Sequence, residues 1–163
     1  MIAPVLTFSA EEVWEYLPGK KEVSVQLADW PKTSEEYKDN LLAARWQKLL
    51  EYREIVTGQL EEARKEKLIG ASLGAALELY PDEVAYEALA PFRERLAEIF
   101  LVSACSLHQP GNVSGVLPAE KGLALKVSPA SGEKCGRCWL IHPGVGENRE
   151  HPTICPRCSQ IVA

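Results

Sequence analysis

The sequence predicts an α+β fold in three parts, and three observations point there. One stripe of apolar residues at steps of three and four runs from Leu42 to Ala63, the mark of a long amphipathic helix. Between about residues 70 and 130 the apolar runs follow the order strand, helix, strand, strand, which suggests a small α/β unit. Residues 133–163 carry four of the five cysteines, in two C-x-x-C pairs, and read as a separate cysteine-clasped module. The expected division is therefore 1–69, 70–132 and 133–163.

Taken in order, Phe8-Ser-Ala-Glu-Glu-Val13 carries a helix-start signature. Ser9 is placed to cap, Glu12 to complete a capping box, and Phe8 with Val13 to form a hydrophobic staple. Pro18-Gly19 ends that helix. Glu22 to Leu27 alternates, with Val23, Val25 and Leu27 on one face, and reads as a short extended segment closed by Trp30-Pro31. Thr33 to Glu36 is a second capping box that opens the longest helix. Its stripe is Leu42, Trp46, Leu49, Arg53, Val56, Leu60 and Ala63, with Arg53 as a rim residue. Glu61 to Lys67 reads as a solvated charged face with i,i+4 pairs, and Gly70 is placed to end the helix.

Ala71 to Leu79 is small and apolar, with Leu73, Leu77 and Leu79 as buried positions; helix and strand are both open for it. Pro81-Asp82 is a turn and cap. Glu83 to Leu96 has helical periodicity through Val84, Leu89, Phe92 and Leu96, with Pro91 kinking or restarting it. Ile99 to Ser103 reads as a buried strand and Gly122 to Val127 as another. Ser128 to Gly132 is a linker-like break.

The tail KCGRCWLIHPGVGENREHPTICPRC has the pattern C-x2-C-x16-C-x2-C at Cys135, Cys138, Cys155 and Cys158. Each pair folds into a turn that aims two sulfurs at one point, and the sixteen residues between allow a hairpin that brings the pairs together. Four thiolates close a tetrahedral zinc shell, so the tail reads as a zinc-ribbon-like module holding one structural Zn2+, with no open position to activate water. Two redox disulfides would need a thioredoxin-like frame, which the sequence lacks. His142 and His151 are spare nitrogen ligands beside a filled shell. Zinc with four thiolates carries a formal charge of about minus two. Lys134, Arg137, Arg149 and Arg157 surround it, either turned inward to offset that charge or outward to phosphates. Trp139 either caps the small module or stacks on an unpaired base.

The 163 residues are 46% hydrophobic and 25% charged, ordinary for a globular chain, with net charge −5. That charge gives no general argument for nucleic acid; from Glu133 onward, however, four Lys/Arg stand against three Asp/Glu. No apolar run approaches the roughly 20 residues of a membrane span, and the N-terminus lacks signal-peptide organisation. Cys105 in an apolar run reads as a packing thiol, and an odd cysteine beside a zinc site suggests a reducing, cytoplasmic setting. There is no Gly-rich phosphate loop, nucleophile elbow or helical His-x-x-x-His, so the sequence reads as a binding piece without catalytic residues.

Three stretches then carry one resemblance. FSAEEVWEYLP with VQLADWP resembles the end of the helical anticodon-binding domain of class I aminoacyl-tRNA synthetases. ARKEKLIGASLGAAL is similar to the segment that follows it in the isoleucine, leucine and valine enzymes, and KCGRCW…HPTICPRC to the C-terminal zinc module of bacterial isoleucyl-tRNA synthetases, a motif shared with some DNA glycosylases. The resemblance implies a C-terminal fragment whose catalytic and editing domains, and whose use of ATP, lie elsewhere in the parent enzyme. It implies isoleucine tRNA as partner, a helical part along the anticodon stem, a zinc module at the anticodon loop, and contact with the upstream domains in a monomer. Arg137 and Trp139 match the family residues that face the anticodon, with Lys134, Arg149 and Arg157 as further contacts. Lys65 and Lys67 can reach phosphate, although a solvated face explains them better. Two alternatives stand beside this: the zinc-bearing part of a DNA glycosylase, and a zinc ribbon for protein–protein contact with Trp139 buried.

Overall fold

The computed structural model describes residues 1–111 and 120–162. Ala163, the last residue of the expected cysteine module, lies outside them. The described chain forms two compact units, Met1–Asn40 and Leu41–Ala163.

The first unit is built on α1 (Thr7–Tyr16) and two single 3-10 turns, Val25–Leu27 and Glu35–Tyr37. The helix begins two residues before the expected cap, so Ser9 lies inside it and the position before it is Leu6, with no side-chain cap. The staple does not form: Phe8 is 91% exposed and Val13 is 55% exposed. The end falls as expected, with Leu17 following the last turn and Gly19 at φ 98°. Glu22 to Leu27 is not extended. Ser24 Oγ accepts from Gln26 N and donates to Glu11 Oε2, a local alternative that pulls the backbone into a 3-10 turn. In the second expected capping box, Ser34 caps only the turn Glu35–Tyr37.

The second unit opens with α2 (Asn40–Lys65), which buries Leu49, Tyr52, Ile55, Val56, Leu60 and Ala63. The buried stripe thus starts later than the sequence pattern: Leu42 and Trp46 at its N-terminal end are exposed, and the ring of Trp46 meets Phe92 at 5.6 Å. Arg53 sits at the rim, its Nε donating to the Ile99 carbonyl at 3.1 Å. The charged run pairs at i,i+3 rather than i,i+4, as Glu61–Arg64 and Glu62–Lys65, each at 2.7 Å.

Gly70 does not end the helix. Lys67 does so at φ 61°, with its N–H bonded to the Arg64 carbonyl and the Leu68 N–H bonded to the Ala63 carbonyl. This is the Schellman arrangement, with lysine in the left-handed position that glycine usually takes.

A three-stranded sheet follows, in the order β2-β1-β3. The strand β1 (Ala75–Pro81) runs parallel to β2 (Ala104–Leu107) and antiparallel to β3 (Leu123–Pro129). The parallel pair needs a crossover, and α3 (Glu83–Leu89), a 3-10 stretch Ala90–Arg95 and α4 (Leu96–Phe100) supply it. Pro91 marks the change from α to 3-10 geometry. Val84 is exposed; Ala85 and Leu89 are the buried side of α3. Asp82 caps α3 as expected, its Oδ1 accepting from Ala85 N at 2.8 Å.

The expected strand at Ile99–Ser103 is instead the end of α4 and its exit. Leu101 adopts φ 56°, and Val102 N bonds back to the Ala97 carbonyl, a second Schellman ending. The pairing strand starts one residue beyond, at Ala104. The helices and one face of the sheet bury a shared core that includes Leu49, Val56, Leu77, Leu79, Leu89, Leu96 and Leu123. Each such side chain contributes about 1.5–3 kcal/mol over its exposed state. Cys105 packs against this core, where burial pushes its thiol up to about 12.

Candidate metal centre and its exposed rim

The tail is a short antiparallel pair, β4 (Glu133–Lys134) with β5 (Ile141–His142), a loop, and α5 (Pro156–Val162). The first C-x-x-C turn is closed by two backbone bonds, Cys135 N to the Leu140 carbonyl and Trp139 N to the Cys135 carbonyl, both 2.9 Å. The second passes directly into α5, with Ser159 N bonded to the Cys155 carbonyl. Gly136 N donates to the Thr153 carbonyl at 2.8 Å and ties the two turns together. Gly144 passes so close to the second turn that a Cβ there would lie 2.8 Å from Pro156 Cγ.

These bonds bring the sulfurs of Cys135, Cys138, Cys155 and Cys158 within 4.8 Å of one another. Cys138 and Cys155 are 3.8 Å apart, far beyond an S–S bond of about 2.05 Å. Zinc at about 2.3 Å from four tetrahedral sulfurs requires edges of about 3.8 Å, so the four residues fit that ion. The rest of the donor set agrees. Burial works to raise the Cys135 thiol, but backbone N–H groups at Cys138, Cys155 and Arg137 aim at its sulfur and bring it down to about 6. Burial pushes the Cys138 thiol up to about 11.

The surrounding cations divide. Arg137 Nη1 lies 3.7 Å from Cys158 Sγ. Arg157 is raised by a hydrogen bond to the Cys138 sulfur and also lies 3.9 Å from Glu98 Oε1. Both still have exposed side chains. Arg149 is exposed and has no ion pair among the described residues. Trp139 is 61% exposed, at φ 67°, and Lys134 Nζ lies 5.7 Å from its ring centroid. His142 Nδ1 accepts from Gly144 N and points away from ligand duty.

Two positions that the sequence reading passed over hold the loop. Asn148 donates to Ser159 Oγ at 2.7 Å and accepts from the N–H groups of Glu150 and His151. Ser103 joins the tail to the sheet, donating to the Leu73 carbonyl and accepting from Ile141 N.

Residues 132–161 match the family described as a zinc finger found in FPG and IleRS, and residues 1–79 match the anticodon-binding domain of tRNA ligases. The fold and this site therefore define a tRNA-ligase segment that ends in a zinc finger. The chain is 44% identical over 168 residues to the isoleucine–tRNA ligase of Moorella thermoacetica, covering 99% of this chain and 18% of that protein. It is 41% identical over 169 residues to that of Natranaerobius thermophilus and 44% identical over 168 residues to that of Desulfitobacterium hafniense. The chain is thus similar over nearly its whole length to isoleucine–tRNA ligases and spans about 18% of the length of these curated relatives, at their C-terminal part.

Proposed function

We propose that this chain is the tRNA-gripping C-terminal portion of an isoleucine–tRNA ligase, a cytoplasmic enzyme acting as a monomer. In this reading one structural Zn2+ is held by Cys135, Cys138, Cys155 and Cys158. Amino-acid activation with ATP takes place in a domain elsewhere in the longer protein. Residues 1–69 close the helical domain that lies along the anticodon stem, residues 70–132 form the junction with the upstream domains, and residues 133–163 reach the anticodon loop of isoleucine tRNA. Trp139 and Arg137 face the unpaired bases with Lys134 beside the ring, while Arg149 and Arg157 supply positive charge toward the backbone.

The observation that carries the reading is Trp139, a large aromatic ring standing 61% exposed at the foot of the cysteine cluster. An indole held open to solvent by a rigid turn offers a stacking surface to a base that is not paired. The protein–protein ribbon needs this ring inside the module, and the ring lies outside it. The glycosylase alternative needs a helix–two-turn–helix ahead of the zinc module, whereas the strand Leu123–Pro129 precedes it.

The test is Trp139→Ala in the full-length ligase. Zinc content stays at its wild-type value, and the KM for isoleucine tRNA rises in line with a loss of about 1–3 kcal/mol of stacking. Unchanged aminoacylation would make Trp139 a surface residue without an RNA role.

A further inference from the structure

Trp139 is not a ring free on both faces. Its backbone sits at φ 67°, in the left-handed region that L side chains rarely adopt, and its N–H is fixed to the Cys135 carbonyl. Five residues earlier, Lys134 lies on β4, whose register with β5 pairs it with Ile141. The ammonium comes to 5.7 Å from the indole centroid, within cation–π range. Lys134 makes no ion pair among the described residues, and Arg137 and Arg157 are engaged with sulfurs.

We infer that Lys134 is a positioning residue for RNA: it closes one face of the Trp139 ring, so that a nucleobase stacks only on the opposite face. The inference rests on the RNA-binding reading above and adds a direction to it. A ring free on both faces can be intercalated between two bases. A ring covered by a cation accepts one base, on its open face. The same lysine also holds the indole in one orientation before RNA arrives, which lowers the ordering cost of binding.

The experiment uses the zinc-loaded full chain labelled with 5-fluorotryptophan. The Trp139 resonance among the four tryptophans is assigned with Trp139→Phe. Lys134→Met should shift that resonance in the free protein, and Lys134→Arg should restore it. Binding of a synthetic isoleucine-tRNA anticodon stem-loop should weaken about two- to fivefold in Lys134→Met, as expected for one exposed cation–π pair. The same change in a Trp139→Ala background should cost nothing further.

An unmoved fluorine resonance in Lys134→Met overturns the inference. So does an equal loss of binding in both backgrounds with a salt slope reduced by about one, which would make Lys134 a plain phosphate contact. A Trp139→Ala chain that binds the stem-loop as well as wild type overturns the RNA reading itself and the stacking half of this inference with it. The fluorine shift alone would then report the ring contact.

Discussion

At the scale of single residues, burial raises the thiols of Cys105 and Cys138, while hydrogen bonds bring that of Cys135 down. Cys105 has burial acting on it, and its thiol is pushed up to about 12. Its folded pKa is raised, so it stays a protonated, unreactive thiol throughout the neutral range. A thiol-reagent titration at pH 8 should find no fast cysteine in the zinc-loaded chain. With chelator present it should find four, with Cys105 still slow while the sheet remains folded. Five fast thiols would show that Cys105 is not packed as described. Lowering the pH should release the metal, because protons compete for the four thiolates. The four-cysteine cluster was legible because the spacing of two short turns is a local pattern. Asn148 and Ser159 were not, because a hydrogen bond spanning eleven residues leaves no periodic trace. The contacts of Arg137 and Arg157 with the sulfurs were legible only as one of two options, since spacing does not fix which way a long side chain turns.

At the scale of elements, the long helix and the strand Leu123–Pro129 were readable from apolar periodicity, Ala75–Pro81 fitted helix and strand alike, and the helix ends were not readable. Gly70 drew attention as a stop, yet both α2 and α4 end in Schellman turns with Lys67 and Leu101 in the left-handed position. The hydrogen bonds to Ala63 and Ala97 carbonyls outweigh the backbone cost at those two residues. Lys67→Gly should therefore stabilise the chain by about 0.5–1 kcal/mol in denaturant unfolding, because glycine meets no Cβ penalty there. A loss of stability would mean that the lysine side chain makes a compensating contact. Asp82→Ala should cost about 0.5–2 kcal/mol by freeing the Ala85 N–H at the start of α3. The expected strand at Ile99–Ser103 failed for a related reason. An apolar run of five fits either a buried strand or the inner face of a short helix, and Phe100 and Val102 are buried on the helical path and its exit.

At the scale of the whole chain, the cysteine module has little apolar core beyond its sulfurs: among the described residues, Val145 and Ile154 join Cys138 in packing against Cys135, Cys155 and Cys158. Its persistence therefore depends on the ion, while the helix-and-sheet unit has its own core. Chelation should remove amide dispersion from residues 133–162 and leave that of β1, β2 and β3 in place. Retention of the tail's dispersion in excess chelator would refute a structural zinc. The long helix, the sheet and the cysteine tail each carry their own sequence signature, a period of 3.6, a period of 2 or a ligand spacing, whereas the two compact units Met1–Asn40 and Leu41–Ala163 left no such mark. The joint at Ser103 was not visible, because it is a contact between distant segments. The central claim is that a metal-clasped tip meets the anticodon loop, and binding of isoleucine tRNA against a non-cognate tRNA by zinc-loaded and metal-free chain tests it most directly. The account predicts preference for isoleucine tRNA only with zinc bound, and binding that weakens as salt rises. Equal binding of both tRNAs, unaffected by removing the metal, would contradict it.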